Sequence, residues 1–353
     1  MKSVSTALAQ HLASPVTTLA TCWRITRTDG VELFFTDHDR DIVFDGDTYR
    51  ASSGYSRTAI ASDASLGVDN LEVEGVFDSA AITEEDLRAG LFDRAEVRVF
   101  LVNWVDPAQG SLRMRRGWFG EAVLTEQGFF RTELRGMTQA LQQRIGEIYS
   151  PECRADLGDP RCKVPVAPPE IARATAYSVG DHVRVATGSG SGSEVYENRI
   201  YLCVAAGTTA PAQPAYDTTV GQQTTDGSAV FEAMEAWSRA GVVLDVVDRA
   251  IFTVLIDEPR AVDGWFAGGV LTWESGANAG RSIEVKAWTQ AAGQIELFLP
   301  MGYGIEIGDA FRIHPGCDKR LDTCIGRFAN VLNFRGEPYV PGQDAMMSYP
   351  DAR

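Results

Sequence analysis

The chain has 353 residues, 44% of them hydrophobic and 23% charged, with a formal net charge of −16. Such a length exceeds one comfortable hydrophobic core, and the composition excludes general disorder. The acidic balance speaks against reading nucleic acid from the outer surface, because phosphates repel it. No apolar run approaches the roughly 18–20 residues of a membrane-spanning helix.

At the N-terminus, Leu8 and Leu12 mark a short amphipathic helix that stops before Pro15, while Gln10 and His11 interrupt any signal-peptide core. The protein is therefore expected to be made in a reducing bacterial cytoplasm. From Cys22 to about Leu134 the pattern is mostly β, with turn signals at Asp29-Gly30 and Asp45-Gly46 and alternation over 71–77 and 95–104. ITEEDLRAGLF is the clear helix, with Thr83 as its cap, and Met137, Leu141 and Ile145 have helical spacing. A β-barrel or sandwich with one or two edge helices fits this region. Arg113, Arg115 and Arg116 read as a solvated strand. The acidic run Asp37–Asp41 reads as a polar turn, because Ile42 and Thr48 stand where an EF-hand needs Gly and Glu.

PECRADLGDPRCKV follows, then a linker-like stretch. Residues 173–238, with the low-complexity GSGSGS at 188–193, read as a small all-β module. Alternation resumes over 239–316 as a second barrel-like unit, and 317–353 holds the second cysteine pair and an extended tail rich in Pro and Gly. The expected fold is mainly β: barrel-like domains with a few short helices, divided as 1–150, 151–172, 173–238, 239–316 and 317–353.

Four of the six cysteines are expected in two loops, Cys153 and Cys162 with eight residues between them, Cys317 and Cys324 with six. A cytosolic protein rarely keeps structural disulfides, so clustered cysteines point to a metal or redox site. The spacings are too wide for zinc knuckles and unlike a ferredoxin run, so spacing leaves zinc, an iron–sulfur cluster and two pairs of free thiols all open. Cys22 and Cys203 lie in strand patterns and read as small buried hydrophobes. There is no HExxH, no GxSxG and no Gly-rich phosphate loop, so no enzyme is expected.

The C-x8-C pair, followed much later by C-x6-C and F-x-N-x-x-N-F-R-G, resembles the phage tail-hub family. These are the hub or tail-tip proteins of lambda-like siphophages and gene transfer agents. The carrying residues are Cys153, Cys162, Cys317, Cys324, Phe328, Asn330, Asn333, Phe334, Arg335 and Gly336. LFFTDHDRDIVFDGDTYRA is similar to the gene-transfer-agent and prophage branch. The likeness spans nearly the whole chain except 173–238, which reads as an insertion.

The resemblance implies a [4Fe–4S] iron–sulfur cluster on the four cysteines, with zinc as the alternative. Arg161, Lys163, Lys319, Arg320 and Arg327 lie near them in sequence and are expected to support an anionic cluster. It also implies a homotrimeric baseplate hub in the tail of a virion or gene-transfer-agent particle. That hub would join the distal tail protein to the terminal fibre or tip protein and line or gate the exit channel, meeting DNA only in transit. The 173–238 module resembles small chitin-binding-like modules. Its candidate glycan-stacking rings are Tyr177, Tyr196, Tyr201 and Trp237, and a glycan-binding adsorption protein is the alternative function.

Overall fold

The computed structural model describes residues 4–51, 56–57, 70–76, 82–124, 129–136, 146–185 and 198–340. The helical spacing at 137–145, the GSGSGS stretch, Tyr196 and the tail beyond residue 340 lie outside them. The chain divides into two compact units, Met1–Ile145 and Gly146–Arg353.

The first unit opens with α1 (Thr6–Leu12), where the Ser5 hydroxyl accepts the Leu8 N–H at 3.1 Å and Leu8 is fully buried. Four strands follow: β1 (Leu19–Thr26), β2 (Glu32–Thr36), β3 (Ile42–Phe44) and β4 (Asp47–Ala51). Then come β5 (Ser56–Arg57), β6 (Asn70–Val76), α2 (Glu84–Arg88), β7 (Glu96–Asn103), β8 (Ser111–Leu124) and β9 (Phe129–Arg135). Thr83 caps α2, its side chain accepting the Asp86 N–H at 3.0 Å.

The strands form one nine-stranded sheet in the order β3-β4-β2-β1-β7-β8-β9-β6-β5, with β2 and β4 parallel. Among the described residues this is an open sheet, not the barrel or sandwich expected from the alternation. The reason lies in β1, which is buried on both faces. Trp23 and Ile25 pack with Phe35, Val97, Val99 and Phe119 on one side. Ala20 and Cys22 pack with Ile42, Tyr49, Phe100 and Val102 on the other. Alternate residues of a strand point to opposite faces, so one layer serves two cores and does not close around one. The arginine-rich run lies in β8, where Arg116 faces Arg98 of β7 and both pair with Glu96.

In the second unit a small module contains β10 (Ala176–Tyr177), β11 (His182–Val183), β12 (Arg199–Ala205), β13 (Gly207–Thr208), β14 (Gln223–Asp226) and β15 (Ala229–Glu235). Its sheet runs β11-β12-β15-β14, and β10 pairs with β13. Tyr201, Cys203, Tyr216 and Phe231 fill its core. The side chain of Asp226 is 0% exposed and accepts from Tyr216 Oη at 2.6 Å, Arg173 Nη1 at 2.7 Å and the Ala210 N–H at 2.8 Å. Burial works to raise this carboxyl, but the three donors outweigh it and hold it below the usual aspartate range.

The barrel comprises β16 (Arg239–Val246), β17 (Ile251–Ile256), β18 (Val270–Trp273), β19 (Ser282–Thr289), β20 (Gln294–Leu297) and β21 (Ala310–Ile313). It closes in the order β16-β17-β20-β19-β18-β21. Inward alternation delivers Phe252, Leu271, Trp273, Ile295 and Phe311 to its interior. Trp273 lies 5.5 Å from Phe252 and 5.8 Å from Phe311, centroid to centroid, as aromatic quadrupoles favour. At the rim Arg239, 1% exposed, donates to Glu258 at 3.0 Å and to the Asn198 carbonyl at 2.9 Å. Arg260 joins the same carboxylate at 2.7 Å and the Ala236 carbonyl at 2.6 Å, fastening the module to the barrel. After β21 the chain passes Cys317 into α3 (Leu321–Gly326). Among the described residues no helix is long and apolar enough to cross a membrane.

Candidate metal centre

Cys153, Cys162, Cys317 and Cys324 line one pocket, together with Leu157, Val164, Phe328 and Phe334. All are free thiols, and Cys324 is buried. Cys324 lies within α3 and not in a loop, since Leu321–Gly326 closes a helical turn that carries it inward. Cys22 and Cys203 are fully buried in β1 and β12, each within its own hydrophobic core.

Backbone and side-chain bonds stitch the two cysteine segments together. The Cys153 N–H donates to the Lys319 carbonyl at 2.8 Å, and the Arg154 N–H to the Arg335 carbonyl at 3.1 Å. Arg154 grips Glu337 in a bidentate pair at 2.5 and 2.8 Å, while the Glu337 N–H donates to the Ser150 carbonyl. Asp159 shapes the turn before Cys162 by accepting its N–H at 2.6 Å and that of Arg161 at 2.8 Å. Two glycines of the motif serve close approach. A Cβ on Gly316 would stand 1.6 Å from the Ala267 carbonyl oxygen, and one on Gly336 2.6 Å from that of Glu152.

The electrostatics of the four thiols are mutual. Burial, and then Cys153, Cys162 and Cys317, push the Cys324 thiol up to about 11. Burial likewise raises Cys317, against the N–H of Lys319 and its cationic side chain. Thiolates gathered here oppose one another, which is the arrangement a cationic metal relieves. Among the described residues no three His, Cys, Asp or Glu side chains stand at the spacing of a single ion.

The five basic residues take different places. Lys319 and Arg320 line the pocket. Lys319 also donates to the Ala155 carbonyl at 2.6 Å and pairs with Asp156 at 2.7 Å. Arg161 turns outward to Glu147 and Asp159, and Lys163 is exposed. Arg327 donates to the Gly316 carbonyl at 2.9 Å and stacks 4.9 Å from the Trp265 ring centroid, so it braces the chain just before Cys317.

Of the aromatic candidates, Tyr201 is fully buried, its hydroxyl donating to the Asp217 carbonyl at 3.2 Å, so its ring serves the module core and not a sugar. Tyr177 packs edge-on to Phe231 at 5.6 Å, and its hydroxyl accepts the Ala172 N–H. Trp237 is held between the Arg260 guanidinium at 4.7 Å and the Phe328 ring at 5.1 Å. A module of this size needs its rings for its own interior.

Asp159, Glu337 and Asn330 received no role from the sequence. Asn330 donates to both the carbonyl and the sulfur of Cys162. Its sequence signal was its place in the F-x-N-x-x-N-F-R-G motif, which carries the resemblance but assigns it no role.

Comparison with known proteins places this geometry. Residues 5–165 match the family model described as baseplate hub protein, N-terminal attachment domain. Residues 264–344 match that of phage conserved hypothetical protein BR0599. A chain in a solved structure of the virion of a native gene transfer agent (GTA) particle is 34% identical, covering 98% of this chain and 96% of that one, with a TM-score of 0.67. The chain belongs to the phage-like tail-hub family. As a hub protein it is a structural component of a virion or gene-transfer-agent tail. The first cysteine pair of the hub falls in one matched region and the second pair in the other. No curated protein matches the chain.

Proposed function

We propose that this baseplate hub carries a [4Fe–4S] cluster on Cys153, Cys162, Cys317 and Cys324, used as a staple and not as a catalyst. The observation that carries the reading is the convergence of the four thiols on one pocket from segments more than 150 residues apart. The donor set fits the group. Four thiolates are what a cubane takes, and N–H groups meet two of the sulfurs, from Asn330 to Cys162 at 3.5 Å and from the Arg335 backbone to Cys153 at 3.3 Å. A tetrahedral zinc would draw four sulfurs to about 3.8 Å of one another, given Zn–S bonds of about 2.3 Å. When bound, the cluster supplies covalent cross-links between the two segments.

In the tail, the hub is read as a homotrimer that joins the distal tail protein to the terminal fibre or tip protein and lines or gates the DNA exit channel. Its membership of the hub family and its acidic charge, which lets DNA slide without sticking, support this reading. The test is metal and sulfide analysis with a visible spectrum on protein purified without air. Iron with acid-labile sulfide, lost in Cys317→Ser, is the expected result. Stoichiometric zinc, or an intact fold with no metal, overturns the cluster.

A further inference from the structure

We propose that Asn330 is the rivet of this centre: its amide holds Cys162 in place and, by an N–H on that sulfur, raises the reduction potential of the cluster. The redox half rests on the cluster reading above, whereas the rivet is geometric.

One carboxamide makes three bonds. Nδ2 stands 2.5 Å from the Cys162 carbonyl oxygen and 3.5 Å from Cys162 Sγ, so its two hydrogens have two acceptors. Oδ1 accepts from Asn333 Nδ2 at 2.7 Å. A flipped amide would set its oxygen against a carbonyl and a sulfur, and its NH₂ against another NH₂. The Cys162 carbonyl, which can only accept, therefore fixes which end of Asn330 meets the sulfur, and Asn333 holds the other end.

The Asn330 backbone works in the other direction, donating its N–H to the Cys324 carbonyl at 3.0 Å. A single residue thus ties the first cysteine segment to the second. It is placed there by Ala329, whose φ of 48° is left-handed backbone that a non-glycine residue adopts only when its surroundings impose it. Among the described residues Asn330 is the one side chain that donates to any of the four sulfurs; the Arg335 donor is backbone and survives substitution. Hydrogen bonds to cluster sulfurs stabilise the more negative, reduced form. One electron enters the cluster on reduction, and no bond forms or breaks at Asn330.

The test uses the full chain purified without air, as wild type, Asn330→Ala and Asn333→Ala, titrated with dithionite while the visible spectrum is followed. The expected midpoint moves negative in Asn330→Ala and by less in Asn333→Ala, and iron is lost several-fold faster on exposure to air. Unchanged midpoints and unchanged iron loss in both variants overturn the proposal. Should Asn330→Ala fail to fold, the Asn333→Ala midpoint decides alone. If wild type holds no iron, the cluster reading has failed and the rivet is read separately, from iodoacetamide labelling by mass spectrometry. Several-fold faster labelling of Cys162 in Asn330→Ala, with Cys22 unchanged, supports it; equal rates overturn it.

Discussion

The barrel fills its interior with Phe252, Leu271, Trp273, Ile295 and Phe311, whereas the smaller module sets a carboxylate, Asp226, among its aromatic rings. Six closed strands enclose enough apolar volume to need no charge inside, and the barrel keeps its buried ions at the rim, on Arg239 and Glu258. The module has too little sheet for that. It replaces missing apolar contacts with a hydrogen-bonded centre whose directionality fixes Arg173, Tyr216 and Ala210 around one group. Size decides which kind of core a β-structure uses, and the two kinds fail differently.

The largest effect should come from the barrel. Trp273→Ala leaves a large cavity among Phe252 and Phe311 and is expected to destabilise by about 3–5 kcal/mol. Urea unfolding would show it, with hydrogen exchange accelerating in β17 and β20. Next comes Asp226→Ala, which leaves the Arg173 guanidinium and the Tyr216 hydroxyl without their acceptor and should destabilise by about 3 kcal/mol. Exchange should then rise in β12 and β15 while the barrel amides keep their protection. Equal loosening of both would erase the contrast.

Acid sharpens it further. Asp226 is held below the ordinary aspartate value of 3.8, so its stabilisation is complete above that pH and is lost as pH falls through its own lower value. Glu258 follows the same sign below its ordinary 4.5: burial opposes ionisation, and hydrogen bonds from Arg260 and Arg239 prevail. Unfolding monitored from pH 5 downward should show two acid-sensitive contributions, one removed by Asp226→Asn and the other by Glu258→Gln. The smallest effect belongs to the barrel exterior. Lys286 and Glu296 pair at 2.6 Å across β19 and β20 but are half exposed, so Lys286→Ala should change stability by about 0.5 kcal/mol or less.

Much of this was legible in the letters where the determinants are local. Asp29-Gly30 and Asp45-Gly46 turn where the dipeptides said they would, and Thr83 caps its helix because cap chemistry acts over three residues. The four cysteines could be picked out, and the strand run over Arg113–Arg116 was plain. Closure was not. Whether alternation leads to a barrel or to a two-faced sheet depends on which strands pair, as β1 shows by burying Trp23 on one side and Cys22 on the other. The braces of the four-cysteine pocket escaped for a related reason. Arg154 with Glu337 and Asn330 with Cys162 are partners across nearly the length of the second unit, and no periodicity links them. Basic residues near the cysteines in sequence were a poor guide to direction: Lys319 and Arg320 line the pocket, Arg161 faces Glu147.

The stitching of Ser150–Arg154 to Arg335–Glu337 also has a mechanical side. Barrel and module both lie in the stretch of chain that this clasp encloses. A pull applied before Ser150 and after Glu337 runs straight across the clasp, and the enclosed folds carry none of the tension until it parts. Whatever strain reaches the protein along its backbone is met first by these few short bonds, leaving the two β-structures out of the path of the force.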